Sequence, residues 1–349
     1  MKAEICFFVV SATLSAQWLN HPTPGIPRAA DGSPNLSAPA PRTTDGKPDL
    51  SGIWQRRAPD RPLTADLKPG EIQPWAEALV EQRREDLGKD RPSGLCLPSG
   101  PAYITFNASG ARVKIIQTPG LIVMLHEDLT YRQIFMDGRA LEASPSPSWM
   151  GYAVGRWDGD TLVVESFGFN DRTWLDIPGY PHTEGLRMTE RIRRPDFGHL
   201  ETDVTFLDPD VYARPLTAAL KATLIADTEL VEFVCNESKS NVEHWIGTAS
   251  DDKKSEIYVA SEILARYVGT YVELDLWRPP VPRTMEITMS GDALFAQVTG
   301  NEKVRLVPQS ETLFFGLFGG VEFARDDQGV ATQVSERHVS SAYRFQRKK

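Results

Sequence analysis

From residue 112 to the C-terminus the chain reads as one short strand after another, separated by turn residues, and this constrains its fold most. Residues 113–117 and 121–126 flank Thr118-Pro119-Gly120, and 130–136 follows. Residues 150–157 and 161–167 flank Asp158-Gly159, a strong hairpin signal. Residues 184–194 and 200–207 flank Pro195-Asp196-Phe197-Gly198, and 217–225 and 230–235 flank Ala226-Asp227-Thr228. None of the connections holds a helical pattern, so parallel α/β folds are excluded. Nine strands in sequence-adjacent hairpins lose their exposed edges most simply by closing into an antiparallel up-and-down barrel. The pattern then repeats on a smaller scale. After a short helix over 260–267, eight strands are predicted at 269–276, 285–289, 293–299, 304–308, 312–318, 321–324, 331–334 and 342–346. They predict a second, smaller antiparallel barrel.

The sequence before residue 112 is of another kind. Nine of the 26 prolines lie between Pro22 and Pro62. An echo occurs there: Asp31-Gly32-Ser33-Pro34-Asn35-Leu36-Ser37 is followed by Asp45-Gly46-Lys47-Pro48-Asp49-Leu50-Ser51. Asp-Gly-x-Pro is turn chemistry, and Leu36, Leu50, Ile53 and Trp54 have the character of anchors, which predicts an extended arm lying on the barrel. Residues 71–87 predict a one-sided surface helix with Trp75, Leu79 and Val80 toward the core. The expected organisation is a signal peptide at 1–16, a Pro-rich arm and helix at 17–95, and a larger barrel domain at 96–245. A linker at 246–258 and a small barrel domain at 259–349 complete it. The fold class is mainly β.

Residues 1–16 carry Lys2, an apolar run (Ile5 to Ala16) and small residues at its end, the pattern of a secretory leader; a buried first strand is the alternative. With export, Cys6 leaves with the leader. Cys96 and Cys235 then remain as an even pair in an oxidising compartment, which predicts a disulfide; two buried thiols are the alternative in a reducing one. The expected location is secreted or periplasmic, with no transmembrane segment in the mature protein. A net charge of −9 argues against nucleic acid as partner. No phosphate loop, His-Glu-x-x-His or Cys-x-x-Cys occurs, the six histidines are scattered, and neither a cofactor nor a metal is expected.

Polar residues inside strand patterns carry the chemical signal. Arg132 shares a parity with Ile134 and Met136, and Glu190 shares one with Leu186, Met188 and Ile192. Such charges either line a wet cavity or pair internally, and Arg132 and Glu190 are placed to meet across a barrel interior. His182 and Glu184, two apart at the expected start of a strand, and Asp171 in the long 168–183 connection are candidates for acid–base catalysis. Asp137, Arg139 and Trp174, with Arg132 and Glu190, are candidates for ligand binding. Arg193-Arg194 reads as a solvated face.

Two stretches resemble known families. Pro48-Asp49-Leu50-Ser51-Gly52-Ile53-Trp54, Phe135-Met136-Asp137-Gly138-Arg139, Gly155-Arg156-Trp157-Asp158-Gly159-Asp160-Thr161-Leu162-Val163-Val164, Pro181-His182-Thr183-Glu184 and Glu190-Arg191-Ile192-Arg193-Arg194 resemble a widespread family of exported, uncharacterised bacterial proteins. That resemblance implies export and a lipocalin-like barrel, not a reaction. Tyr152-Ala153 departs from the His-Ser that many such proteins have there. Tyr267-Val268-Gly269-Thr270-Tyr271, Leu306-Val307-Pro308, Phe314-Phe315 and Tyr343-Arg344-Phe345 are similar to the lipocalin-like accessory domain of serine beta-lactamase-related peptidases. The leading expectation is a secreted protein that binds a small, partly apolar ligand in the larger barrel. The alternatives are an acid–base enzyme using His182 and Glu184, and a protein making cell-envelope contacts.

Overall fold

A computed structural model describes residues 22–57, 63–101, 112–176, 178–235, 257–274, 283–299, 303–316, 319–337 and 342–348. The expected leader and most of the expected linker lie outside these residues. The chain forms two closed barrels, one of nine strands and one of eight.

The larger barrel holds β1 (Gly52–Arg57), β2 (Arg112–Gln117), β3 (Leu121–His126), β4 (Tyr131–Phe135), β5 (Tyr152–Asp158), β6 (Thr161–Phe167), β7 (Arg187–Arg193), β8 (His199–Leu207) and β9 (Leu216–Leu224). Its membership differs from expectation at one strand. Gly52–Arg57, read as arm, pairs with β2 on one side and β9 on the other and closes the ring. Leu230–Cys235 forms no strand. Trp54 explains the exchange: it is fully buried opposite Val113 and Leu224, a core position that nothing in 230–235 fills.

The expected antiparallel order also fails once. Strands that alternate in direction cannot close a ring of nine, so one neighbouring pair must run parallel. That pair is β4 and β5, through Ile134↔Ala153 and Phe135↔Val154. The 136–151 connection therefore returns along the barrel wall, and Ser148 pins it by hydrogen bonds with Gly168 and Asn170. The β5–β6 hairpin closes with Gly159 at φ +60° in the first loop position, where a II′ turn needs a glycine.

One end of this barrel is plugged by the arm. The sequence echo is a structural one. Arg28 bridges Pro34 and Arg42 bridges Pro48, each closing a small hairpin across an Asp-Gly turn. The two arginines donate in the same way to Gly32 O and Gly46 O, then reach Asp227 and Asp160 beyond. Leu36 covers Gly198, while Leu50 is buried with Trp54, Ile115, Ile122, Leu162 and Leu224. Arg194, expected in solvent, lies beneath this plug. Its guanidinium packs over the Trp54 ring and donates to the carbonyls of Asp49 and Phe197, and burial lowers its pKa to about 10.

The other end is covered by α1 (Pro74–Glu85) and the loops between β6 and β7 and between β8 and β9. The helix turns Ala76 and Val80 inward and leaves Trp75 48% exposed, a rotation away from the expected Trp75–Leu79 face. Ala76, Leu175, Leu186, Val211 and Tyr212 form the core there.

The smaller barrel follows α2 (Ser261–Ala265) and contains β10 (Gly269–Glu273), β11 (Thr284–Ser290), β12 (Ala293–Val298), β13 (Val304–Pro308), β14 (Leu313–Gly316), β15 (Gly319–Arg325), β16 (Ala331–Arg337) and β17 (Ala342–Arg347). All eight neighbouring pairs are antiparallel, as an even ring allows. Its interior is packed with aromatic rings. Tyr267 stacks on Phe323 with centroids 4.4 Å apart, and Phe314 meets Phe323 edge-on. The phenols of Tyr267 and Tyr271 donate to the backbone oxygens of Glu311 and Tyr267.

The expected disulfide joins Cys96 to Cys235, with Cα atoms 5.6 Å apart and a sequence separation of 139. Phe315 of the smaller barrel packs against both cysteines.

Candidate functional site in the larger barrel

The interior of the larger barrel changes character along its length. Toward the arm it is apolar. Toward α1, charged and polar side chains replace hydrocarbon on the inward parity of four strands: Arg56 on β1, His126 on β3, Arg132 on β4 and Glu190 on β7. Their inward direction follows from register, since directly opposed residues share a face: Arg56 faces Ala222, His126 faces Val113, Arg132 faces Met124 and Glu190 faces Val164 and Val204.

Arg132 and Glu190 are each 2% exposed, and Nη2 of the guanidinium lies 2.5 Å from Oε2 of the carboxylate. The same Nη2 donates to Ser166 Oγ at 2.6 Å from β6. A guanidinium carries five N–H donors, and Nη2 supplies two of them. The donors on Nε and Nη1 are buried and have no hydrogen-bond partner among the described residues. His126 is buried beside this pair, and burial together with the charges of Arg56 and Arg132 holds its pKa well below the usual imidazole value. It is neutral at pH 7.

Three inward-facing residues are not fully buried. Arg56, Thr202 and Ala218 point inward from three neighbouring strands, yet each keeps partial exposure.

The loop candidates lie outside this interior. His182 is 2% exposed. Its Nδ1 donates to Thr183 O at 3.0 Å, so Nε2, 2.5 Å from Thr173 Oγ1, accepts from that hydroxyl. Burial lowers its pKa and keeps this neutral tautomer. Glu184 is exposed, in a turn from Thr183 to Leu186 that precedes β7. The strand starts at Arg187 rather than 184, because Asp208 accepts from the backbone and hydroxyl of Thr183 and holds the turn. His182 and Glu184 therefore do not face a common space. Asp171 is exposed, near enough to His182 to favour its charged form slightly. Asp137 and Arg139 are exposed and pair with each other at 2.6 Å, with Arg139 over the Phe135 ring. Trp174 is buried beneath Arg83, whose guanidinium sits 4.6 Å from the ring centroid.

Asp176, which the sequence places among the polar residues of the long 168–183 connection, is buried in the same loop. Burial raises its pKa to about 6 against the opposing hydrogen bonds from Thr64 and the Tyr180 amide. Ser166, His126 and Arg56 are not among the site residues the sequence suggested. The signal was present: each is a polar residue on the apolar parity of its strand. Among the described residues no three His, Cys, Asp or Glu side chains gather into a metal-sized cluster, and no helix is long and apolar enough to cross a membrane.

Fold and site together define a class, a closed β-barrel with a buried charged layer in its interior, joined to a second barrel with a solid core. Compared with family models, curated proteins and solved structures, the chain has no match. Of the two resemblances noted in the sequence, what stands is the architecture they implied.

Proposed function

We propose that the protein binds a small, partly apolar molecule inside the larger barrel, and that it does so outside the cytoplasm. The observation that carries this is Arg132, a buried guanidinium with donors left over in a charged layer whose cross-strand neighbours Met124, Val164 and Val204 are apolar. A barrel of this strand number is wide enough to enclose one small ligand or to be filled by its own side chains. The partial exposure of inward-facing Arg56, Thr202 and Ala218 favours the former here. The smaller barrel, solid with Tyr267, Phe314, Phe323 and Phe345, is the less suited of the two. The Cys96–Cys235 bridge supports an oxidising compartment, and with it the exported location.

The acid–base alternative has weaker support. His182 has both ring nitrogens engaged within the chain, and Glu184 stands apart from it in solvent. The deciding experiment exposes the full chain to a cell extract, separates it by size and reads retained small molecules by native mass spectrometry. The expected result is a discrete added mass that survives His182→Ala and is lost in the Arg132→Met/Glu190→Leu variant. A mass lost with His182→Ala alone, or no retained mass at all, overturns the proposal.

A further inference from the structure

We infer that the outer wall of the larger barrel over β2, β3 and β4 is the docking face for a second copy of this chain; this is independent of the binding function proposed above. Residues of one parity on these strands fill the interior, so the other parity faces outward. Leu121, Val123 and Leu125 point outward from β3. Ile116 opposes Val123 on β2, and Tyr131 and Phe135 oppose Leu125 and Leu121 on β4. Ile116 is 41% and Tyr131 61% exposed, and the three β3 side chains are partly exposed. The opposite wall is of the ordinary polar kind. There β7 and β8 turn Arg191, Arg193, Glu201 and Asp203 outward, and the two arginines pair in solvent with Asp158 and Glu201.

Two further features border the apolar wall. The β3–β4 turn presents Leu129, 63% exposed and held at φ +65°, a left-handed conformation that a leucine rarely takes. Val231 is exposed in the segment that runs beside β2, where Glu229 pairs with Lys114 and the Phe233 amide donates to Glu127 O. Exposed hydrocarbon gathered in this way marks an interaction site, whereas scattered single apolar residues do not.

Charge and area select the occupant. The chain carries a net charge of −9, so two copies repel over most of their surface and meet best by a face without net charge. The rim of this wall is such a face: Lys114–Glu229, Arg112–Glu127 and Arg139–Asp137 each place both signs side by side. A twofold axis uses the same patch twice, so hydrocarbon meets hydrocarbon and a mixed-sign rim meets a mixed-sign rim. A membrane surface recruits Lys and Arg left free for anionic head groups, and here a carboxylate holds each of these cations. Three strands about 4.8 Å apart and about 20 Å long cover roughly 300 Å² in projection. With Leu129, Val231 and the rim, each copy supplies about half of the roughly 1,000 Å² that a specific dimer buries in total, a size that makes association concentration-dependent. Two such sheets pack face to face as the halves of a β-sandwich do.

The test is sedimentation velocity of the full chain from about 1 to about 100 µM. The mass should rise from one chain to two and stop there. In Ile116→Lys/Tyr131→Lys, which changes two exposed side chains and leaves the core alone, the dissociation constant should rise at least about tenfold. Thr205→Lys/Ala219→Lys adds the same charge to outward positions of β8 and β9 and should associate like the unaltered chain. A one-chain mass at every concentration overturns the inference. So does a dimer that Ile116→Lys/Tyr131→Lys leaves intact, or a loss of the dimer that both variants share. Growth beyond two chains excludes a twofold face. Flotation with phosphatidylcholine vesicles runs in parallel. A one-chain species that floats, and floats less in Ile116→Lys/Tyr131→Lys, would assign the wall to lipid in place of a second copy.

Discussion

A buried ion pair such as Arg132–Glu190 is costly to build and costlier to break. Taking one partner away strands the other charge in a medium that cannot solvate it. Arg132→Met should therefore cost about 3–5 kcal/mol in urea unfolding, and Arg132→Met/Glu190→Leu should recover most of that loss. A double variant no more stable than the single one would show that the pair does not act as a unit. Asp176 makes a prediction of another kind. Its folded pKa, about 6, lies above the ordinary 3.8. Between these values the folded state holds a proton that the unfolded state has released, so the group's contribution falls as pH rises through the window and is flat above it. Relative to Asp176→Asn, the unaltered chain should gain about 3 kcal/mol between pH 7.5 and pH 3.5. His126 and His182, with depressed pKa values, act in the opposite sense and lose stability as pH falls through the normal imidazole range. Comparison with the Asn variant at each pH separates the contributions. A difference between the two proteins that does not change with pH would place the Asp176 pKa near its ordinary value.

At the level of elements, the arm is part of the barrel's construction. Its two hairpins repeat the same hydrogen bonds, and Gly198 is the point where the first one seats. A Cβ at Gly198 would overlap Leu36 and lie within 2.9 Å of its backbone. Gly198→Ala should therefore lift the 27–38 hairpin off the β7–β8 turn and cost about 1–3 kcal/mol. Hydrogen exchange is the direct check, with faster exchange expected at the Asn35 and Gly198 amides and little change at those of β11 and β12. Unchanged protection at Asn35 would mean the hairpin holds without that seat. The same elements show how far local pattern carries. The eight strands of the smaller barrel were legible because they are short apolar runs, several of them separated by turn residues such as Ser290-Gly291-Asp292 and Asp326-Asp327-Gln328-Gly329. The strand Gly52–Arg57 was not, because prolines surround it and only pairing with β2 and β9 makes it a strand. The parallel step between β4 and β5 was equally hidden, since it is a consequence of ring closure and not of any residue in either strand.

In the whole molecule, the disulfide ties the segment after α1 to the segment after β9, and the smaller barrel rests on it through Phe315. Arg91, immediately before the Pro92–Leu95 turn, has its pKa lowered to about 10 by burial and is drawn back toward its charged form by Glu336 of β16, a second interaction between the two parts. Closing a loop of 139 residues removes entropy from the unfolded chain worth at most about 5 kcal/mol. Cys96→Ser/Cys235→Ser should lower the thermal midpoint and speed exchange around Phe315, with reductant reproducing both effects. If reduction moves neither, the bridge bears no part of the link. The sequence by itself determined the strand pattern, the two-barrel division, the pairing of the cysteines and the parity that puts Arg132 and Glu190 indoors. These follow from local spacing and compartment chemistry, which a linear reading captures. Only the tertiary structure decided which segment closes the larger ring, that His182 and Glu184 part company at a turn, and that Ser166, Arg56 and His126 join the charged layer. Those depend on register and ring closure, which bring together side chains tens of residues apart and leave no mark in any one stretch of sequence.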